Sequence, residues 1–119
     1  MNTPRYLSKA FFVAALLACS TAYGHEAPSG WNYPTFCCQG ISGPGGQGDC
    51  QKINSKNVKP VVGGYQVSIG PGDHMLATKD HVFFIPYKDV KESGDSDFHL
   101  CLYPTEDTAR CFFAPPMSF

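Results

Sequence analysis

The cysteines constrain the fold of this chain more strongly than any other feature of its sequence. Six of the 119 residues are cysteine, and five of these follow a stretch that has the pattern of a secretory signal peptide. They are Cys37, Cys38, Cys50, Cys101 and Cys111. Outside the reducing cytosol such thiols pair into disulfides, which stabilise small domains whose own core is marginal. The sequence therefore predicts a small single domain that is held together by disulfides.

An odd number of cysteines leaves the pairing open. At most two bridges can form within one chain, and the sequence alone does not select among the possible pairings. Cys37 and Cys38 are adjacent, and neighbouring extended residues point their side chains to opposite sides, so we expect these two cysteines to have different partners. The remaining thiol would stay reduced, bind a ligand or form a disulfide-linked dimer.

Residues 1–24 have the three parts of a secretory signal peptide. A basic start is followed by an apolar run at residues 10–18 and by small residues up to Gly24. The run is shorter than the roughly 20 residues that cross a bilayer as a helix, so no transmembrane segment is predicted. Cleavage after Gly24 would leave His25 as the first residue of a domain that spans residues 25–119.

A second interpretation of the leader involves Cys19. The sequence Leu-Leu-Ala-Cys that ends at this residue is similar to a bacterial lipobox, in which the cysteine is acylated. A leucine just before the alanine is uncommon in such boxes, and the Ala-Tyr-Gly cleavage site is also present, so a lipoprotein is the second alternative. Either cleavage leaves the same folded part, in the periplasm or secreted.

Beyond Cys50, short apolar runs with a period of two predict about five strands and a mainly β fold. The runs are residues 65–69, 74–77, 82–85, 98–102 and 111–114. The turn residues that separate them are residues 70–73, 78–80 and 94–97. One short helical turn is predicted at residues 87–93, and no segment has the sustained period of a longer helix.

Residues 25–39 combine prolines and a glycine with Trp31, Tyr33 and Phe36. This composition is too broken for a helix and too aromatic for a free tail, so it predicts an irregular strap that packs over the core. Residues 40–48 are rich in glycine but lack the Gly-Lys-Ser/Thr that closes a phosphate-binding loop, and they predict a flexible loop.

Several short motifs mark the mature chain. They are His25 behind the leader, Tyr33-Pro34, Cys37-Cys38, Asp49-Cys50, Phe98-His99-Leu100-Cys101 and Cys111-Phe112-Phe113-Ala114-Pro115-Pro116. With this set the chain resembles a family of small exported bacterial proteins of unknown function. The resemblance spans essentially the whole mature chain and implies that all five mature cysteines belong to the family's pattern, but it supplies no activity. The glycine-rich stretch before Asp49 is longer here than in that family.

The histidines give the sharpest functional hypothesis. The free α-amine and the imidazole of His25 can chelate one metal ion, and a second imidazole would complete a T-shaped nitrogen site that suits copper. The candidates for that second ligand are His74, His81 and His99. His99 and Cys101 lie two residues apart on a predicted strand and hence on one face, which gives half of another metal site if Cys101 carries the odd thiol.

Other interpretations compete with a metal site. The first residue of a mature chain is commonly a mobile end, and a strand histidine is commonly a hydrogen-bonded structural group. The spare thiol and the histidines are the ingredients of a cysteine nucleophile in name only, and acids such as Asp95 and Asp97 are interpreted as solvated turn residues. We therefore predict a protein that is not an enzyme.

Charge and aromatic content narrow the class of partner. The chain has 9 basic and 10 acidic side chains and a formal net charge of -1, so it lacks the basic excess that nucleic acids select, and no nucleic-acid partner is predicted. A phenylalanine-rich core explains most of the aromatic residues, and an exposed part would bind another envelope protein or a ligand. The sequence predicts a non-catalytic binding or interaction protein of the bacterial periplasm, with a copper-binding periplasmic protein that uses His25 as the alternative.

The copper hypothesis makes a direct prediction about the mature protein. Amino-terminal sequencing and intact mass would show a free amine on His25, and a titration with Cu(II) would show one tight equivalent that is lost in His25→Ala. A titration without tight binding by the wild-type protein contradicts the hypothesis.

Overall fold

The computed structural model describes residues 26–38 and 49–116. The predicted signal peptide at residues 1–24, with Cys19, lies outside these residues, and so do His25 and the glycine-rich loop. Within the two described ranges, no helix is long and apolar enough to cross a membrane.

Seven strands form two sheets in the described part of the chain. They are β1 (Cys50–Ile53), β2 (Val58–Val61), β3 (Gly64–Ile69), β4 (His81–Pro86), β5 (Val90–Glu92), β6 (Phe98–Leu102) and β7 (Ala109–Ala114). Two short 3-10 helices, Ser55–Asn57 and Tyr87–Asp89, connect β1 to β2 and β4 to β5. One sheet has the order β1-β6-β7-β5 and the other the order β2-β3-β4. The prediction of a small, mainly β domain is confirmed.

The strands that the sequence did not predict are β1, β2 and β5. Each of them has four residues or fewer, which is too short for an alternating pattern to stand out, and β2 contains Pro60. Proline is tolerated there because β2 is an edge strand, where a missing N–H breaks no ladder. The predicted helical turn at residues 87–93 is real only over Tyr87–Asp89, and β5 follows it.

The strand predicted at residues 74–77 is wrong. His74 forms only an isolated bridge with Pro71, and the N–H of Ala77 donates to the carbonyl of His74 at 3.0 Å, as in a turn. Leu76 and Ala77 nevertheless pack against the core between the sheets. The apolar run therefore signals burial, which a turn achieves here as well as a strand would.

The core between the sheets follows from the alternation of β3. Tyr65, Val67 and Ile69 are buried, whereas Gln66 and Ser68 between them are partly exposed. The buried residues pack with apolar side chains of the four-stranded sheet, namely Ile53, Leu100, Leu102, Phe112 and Ala114. Because burying one large apolar side chain is worth about 1.5–3 kcal/mol, this cluster is the main source of cohesion between the two sheets.

The four-stranded sheet is buried on both of its faces. Along β6, Leu100 and Leu102 belong to the core between the sheets, and Cys101 between them belongs to a second cluster on the opposite face. That second face is covered by residues 26–38, which we call the strap. Its buried residues are Ala27, Tyr33, Cys37 and Cys38. The prediction of an irregular strap over the core is confirmed within these residues.

Two disulfides lie in this second cluster. Cys37 of the strap is bonded to Cys111 of β7, and Cys50 of β1 is bonded to Cys101 of β6. Cys38 is buried beside them and takes part in neither of these bonds. One bond therefore fastens the strap to the sheet, and the other links two neighbouring strands.

Each disulfide should contribute strongly to stability, because the bonded residues are 74 and 51 positions apart in sequence. In the chain-entropy account a loop of that size is worth about 4 kcal/mol. We expect the paired changes Cys37→Ser with Cys111→Ser, and Cys50→Ser with Cys101→Ser, each to lower the free energy of unfolding in urea by about that amount. Peptide mapping under non-reducing conditions checks the pairing, and a map that joins Cys37 to Cys50 contradicts it.

Candidate functional site

A chain of hydrogen bonds connects Asp95, His99 and Tyr33 between the strap and the four-stranded sheet. His99 Nε2 lies 2.7 Å from Asp95 Oδ1, and His99 Nδ1 lies 2.8 Å from the Tyr33 hydroxyl. An ionised carboxylate only accepts hydrogen bonds, so His99 Nε2–H donates to Asp95, and the Tyr33 hydroxyl is the partner of Nδ1 on the other side of the ring. The order carboxylate, imidazole and hydroxyl resembles the arrangement of hydrolase triads.

The turn before β6 and the strap together hold the Asp95 carboxylate. Oδ1 accepts from the Ser93 hydroxyl and from the backbone N–H of Asp97, each at 2.9 Å, and Oδ2 accepts from the Ser29 hydroxyl at 2.5 Å. Burial alone would raise the pKa of Asp95, but the hydrogen bonds from His99, Ser29, Asp97 and Ser93 together hold this pKa well below its ordinary value. Asp95 is therefore a charged anchor for the strap.

The interpretation of Asp95 as a solvated turn residue is wrong. The predicted turn at residues 94–97 exists, but the Asp95 side chain is only 13% exposed because it points inward to His99. Asp97 does lie at the surface, where its carboxylate is 3.6 Å from Lys52 Nζ. The spacing of four residues between Asp95 and His99 predicts a contact only on a helix, and these residues lie in a bend and a strand, so no local pattern indicates the contact.

Trp31 packs over this network. Its ring packs edge-on against Tyr33, His99 and Phe113, with centroid distances of 5.1, 5.0 and 5.0 Å. The indole lies so close to Gly94 that a Cβ on that residue would collide with it. The close approach of Trp31 thus requires glycine at this position.

The Tyr33 hydroxyl has the wrong environment for a nucleophile. Tyr33 and His99 are both buried, and burial, followed by the charge of Asp95, raises the pKa of Tyr33. The phenol therefore stays protonated, and its hydroxyl is engaged with His99. The network therefore holds the strap against β6 through hydrogen bonds and does not present a reactive group.

His74 is engaged through both ring nitrogens. The N–H of Leu76 donates to Nδ1 at 3.2 Å, and Nε2–H donates to the carbonyl of Leu100 at 3.0 Å. Burial lowers the pKa of His74, which favours the neutral ring that this pattern needs. His74 therefore ties the segment before β4 to β6.

His81 joins the start of β4 to the turn before β7. Its Nε2 lies 2.7 Å from Glu106 Oε1, and its Nδ1 lies 3.7 Å from Asp107 Oδ1. Glu106 also accepts from the Thr78 N–H at 2.8 Å and from the Thr78 hydroxyl at 2.5 Å. Hydrogen bonds from Thr78 and His81 lower the pKa of Glu106 to about 2.

The metal site expected at His99 and Cys101 depends on Cys101 carrying the odd thiol. The condition for a site at His99 and Cys101 is not met, because Cys101 is bonded to Cys50. Cys38, Asp49 and Cys50 place ligand-type atoms within 4.8 Å of one another, but a disulfide sulfur is not the thiolate that metals require.

The predicted histidine ligands do not share a network. His74, His81 and His99 each take part in a separate set of hydrogen bonds. His25 lies outside the described residues, so the copper site at the amino terminus stays a prediction.

A groove lies between the two sheets, where β4 faces the first half of β7. Its volume is about 590 Å³, and its lining includes Val82 and Phe84 of β4, Ala109 and Arg110 of β7, and Phe36 of the strap. Phe36, Val82 and Phe84 are 64%, 68% and 56% exposed. Three exposed apolar side chains thus surround one opening.

The groove is closed at both ends by contacts between the sheets. At its start, His81 of β4 bonds to Glu106, which precedes β7. At its end, Tyr87–Asp89 leads from β4 into β5, whose first residue Val90 pairs with Phe112 of β7. Between these two ties, β4 and β7 stay apart.

Arg110 holds Phe36 at the rim of the groove. The Arg110 Nε–H donates to the Phe36 carbonyl at 3.1 Å, and the guanidinium carbon lies 4.1 Å from the centroid of the Phe36 ring. The next residue along the chain, Cys37, is bonded to Cys111 beside Arg110. An exposed aromatic ring that is fixed in this way is ordered before any partner arrives.

Comparisons of the chain with protein-family models, with curated proteins and with solved structures found no significant match. The resemblance to a family of small exported proteins stays a prediction. The function is therefore argued from the geometry of the groove and of the buried network.

We expect stability to fall with acid in two stages. Burial lowers the pKa of His74, so stability starts to fall below the ordinary histidine value of 6.5, where the unfolded ring takes up a proton. Glu106 and Asp95 contribute stability above their ordinary values of 4.5 and 3.8 and lose it as the pH falls through the lowered folded values, about 2 for Glu106. Urea unfolding across this range measures both stages.

Glu106→Gln serves as the control for the second stage. The variant should lose the part of the acid dependence that begins near the ordinary value of 4.5 and keep the His74 stage. An acid limb identical to that of the wild type would refute the assignment.

Proposed function

We propose that this protein is a non-catalytic binding protein of the bacterial periplasm and that the groove between β4 and β7 is its binding surface. The observation that carries the proposal is the exposed apolar rim of Phe36, Val82 and Phe84 around an ordered groove. Contiguous exposed apolar surface on a small soluble domain commonly marks an interaction site.

The distribution of exposed apolar residues supports the groove over other surfaces. Among the described residues, the large hydrophobic side chains with high exposure are Phe36, Val62, Val82, Phe84 and Tyr87. Three of these five line the groove. Burying each against a partner would contribute about 1.5–3 kcal/mol before the cost of association, which is enough to matter for affinity.

Two further observations fit this role. The arrangement that most resembles catalytic machinery is the network of Asp95, His99 and Tyr33, in which the imidazole and the phenol are buried and bonded to each other. The two disulfides are typical of proteins that work outside the reducing cytosol, which agrees with the signal peptide that the sequence predicts.

Site-specific photo-cross-linking in exporting cells tests the proposal. A benzophenone amino acid at position 84 should yield a discrete adduct, and Phe36→Asp in the same protein should abolish it, because both positions border the groove. The matched control is the same cross-linker at Val62, which is 100% exposed and lies outside the groove lining. An adduct of the same mass from position 62, or one that survives Phe36→Asp, would count against the groove.

A further inference from the structure

The backbone of β4 has hydrogen-bonding groups that face the groove. β4 is an edge strand, and antiparallel pairs alternate between bonded and non-bonded positions. The Tyr87 N–H donates to the Gly63 carbonyl at 3.0 Å, so the alternation places bonded positions at Ile85 and at every second residue before it. Val82 and Phe84 lie between these positions, and their N–H and C=O groups point away from β3.

The opposite wall offers a second backbone edge. β5 pairs with β7 only from Phe112 to Ala114, so residues 109–111 have no strand on that side within the described part of the chain. Natural proteins protect such edges with charges, prolines or bulges. β4 has proline only at its last position, Pro86, and no charged side chain from Val82 onward. β4 therefore presents an unprotected edge to the groove, whereas the β7 edge carries the charge of Arg110.

We propose that the groove binds an extended peptide segment of a partner protein, which adds to β4 as a further strand. This inference rests on the binding role proposed above and specifies its mode. The five residues from Val82 to Pro86 span about 17 Å at roughly 3.3 Å per residue, so the bound segment has about five residues. Main-chain hydrogen bonds to Val82 and Phe84 hold it.

The two walls select a single strand over the edge of another sheet. A second copy of this chain would bring β3 along on the far edge of its own β4. That β3 would then fall where β7 stands, because β7 forms the other wall of the groove. A lone extended segment has no such neighbour and fits between the walls.

The lining of the groove defines the chemistry of the segment. The charges of the lining balance, because Asp89 and Asp107 oppose Lys91 and Arg110. The exposed apolar rim therefore decides which segment binds, since burying apolar side chains against it is favourable. The segment is therefore apolar at its centre and carries no net charge.

A library of random linear nine-residue peptides, displayed on phage and selected on the immobilised mature protein, supplies the probe. Enriched sequences should have uncharged β-branched or aromatic residues at their centre and no net charge. Synthetic copies are then measured by fluorescence anisotropy. Selection of no sequence, or of sequences without this pattern, overturns the inference.

A matched pair of variants separates main-chain from side-chain binding. Val82→Pro removes one N–H that faces the groove and leaves the bonded pairs with β3 intact, whereas Val82→Ala keeps the N–H and removes most of the side chain. We expect Val82→Pro to weaken peptide binding at least tenfold more than Val82→Ala. Equal losses would overturn strand addition and leave the binding role intact if the cross-linking at Phe84 succeeds.

Hydrogen exchange tests the inference on the wild-type protein, so its result does not depend on whether a variant folds. The bound peptide should slow exchange of the Val82 and Phe84 amides and leave the Val62 amide unchanged. Exchange at Val82 and Phe84 that the peptide does not slow contradicts the inference. Light scattering that shows a dimer of the wild type, and a monomer of Val82→Pro, would identify the occupant as a second copy and also overturn it.

Discussion

The bond between Cys37 and Cys111 is the constraint on which the rest of this structure depends. The four-stranded sheet is apolar on both faces, and residues 26–38 and 49–116 contain only one other sheet with which to cover it. The strap covers the second face, yet it contains no helix or long strand that could hold it there. The disulfide therefore holds the strap in place on the sheet, whereas β3 and β4 are held together by backbone hydrogen bonds along their length.

The buried polar network is a second set of contacts that holds the strap on the sheet. A strap that crosses a sheet brings polar groups into the interior, and such groups are costly unless they are hydrogen-bonded. Hydrogen bonds link Asp95, just before β6, and His99, in β6, to Ser29 and Tyr33 of the strap. The same residue types that elsewhere perform acyl transfer here fix the position of Trp31 and its aromatic neighbours.

The sequence predicts more of the fold than of the candidate site. The alternation of Tyr65, Val67 and Ile69 predicts β3, because a period of two in the sequence depends only on which face of the strand is buried. The groove depends instead on where β5 stops pairing with β7, which no local pattern encodes. Likewise His81 is visible as a histidine, but its bond to Glu106 spans 25 positions and exists only after β4 and β7 are assembled.

Phe36, at the exposed rim of the groove, precedes a cysteine whose oxidation depends on the redox state of the cellular compartment. The bond between Cys37 and Cys111 adds a covalent tie beside the Arg110 contacts that hold this rim residue. In the proposed periplasmic setting, a newly made precursor in the reducing cytosol would lack that tie. Oxidation after export would then order the rim at the place where the binding partner is met.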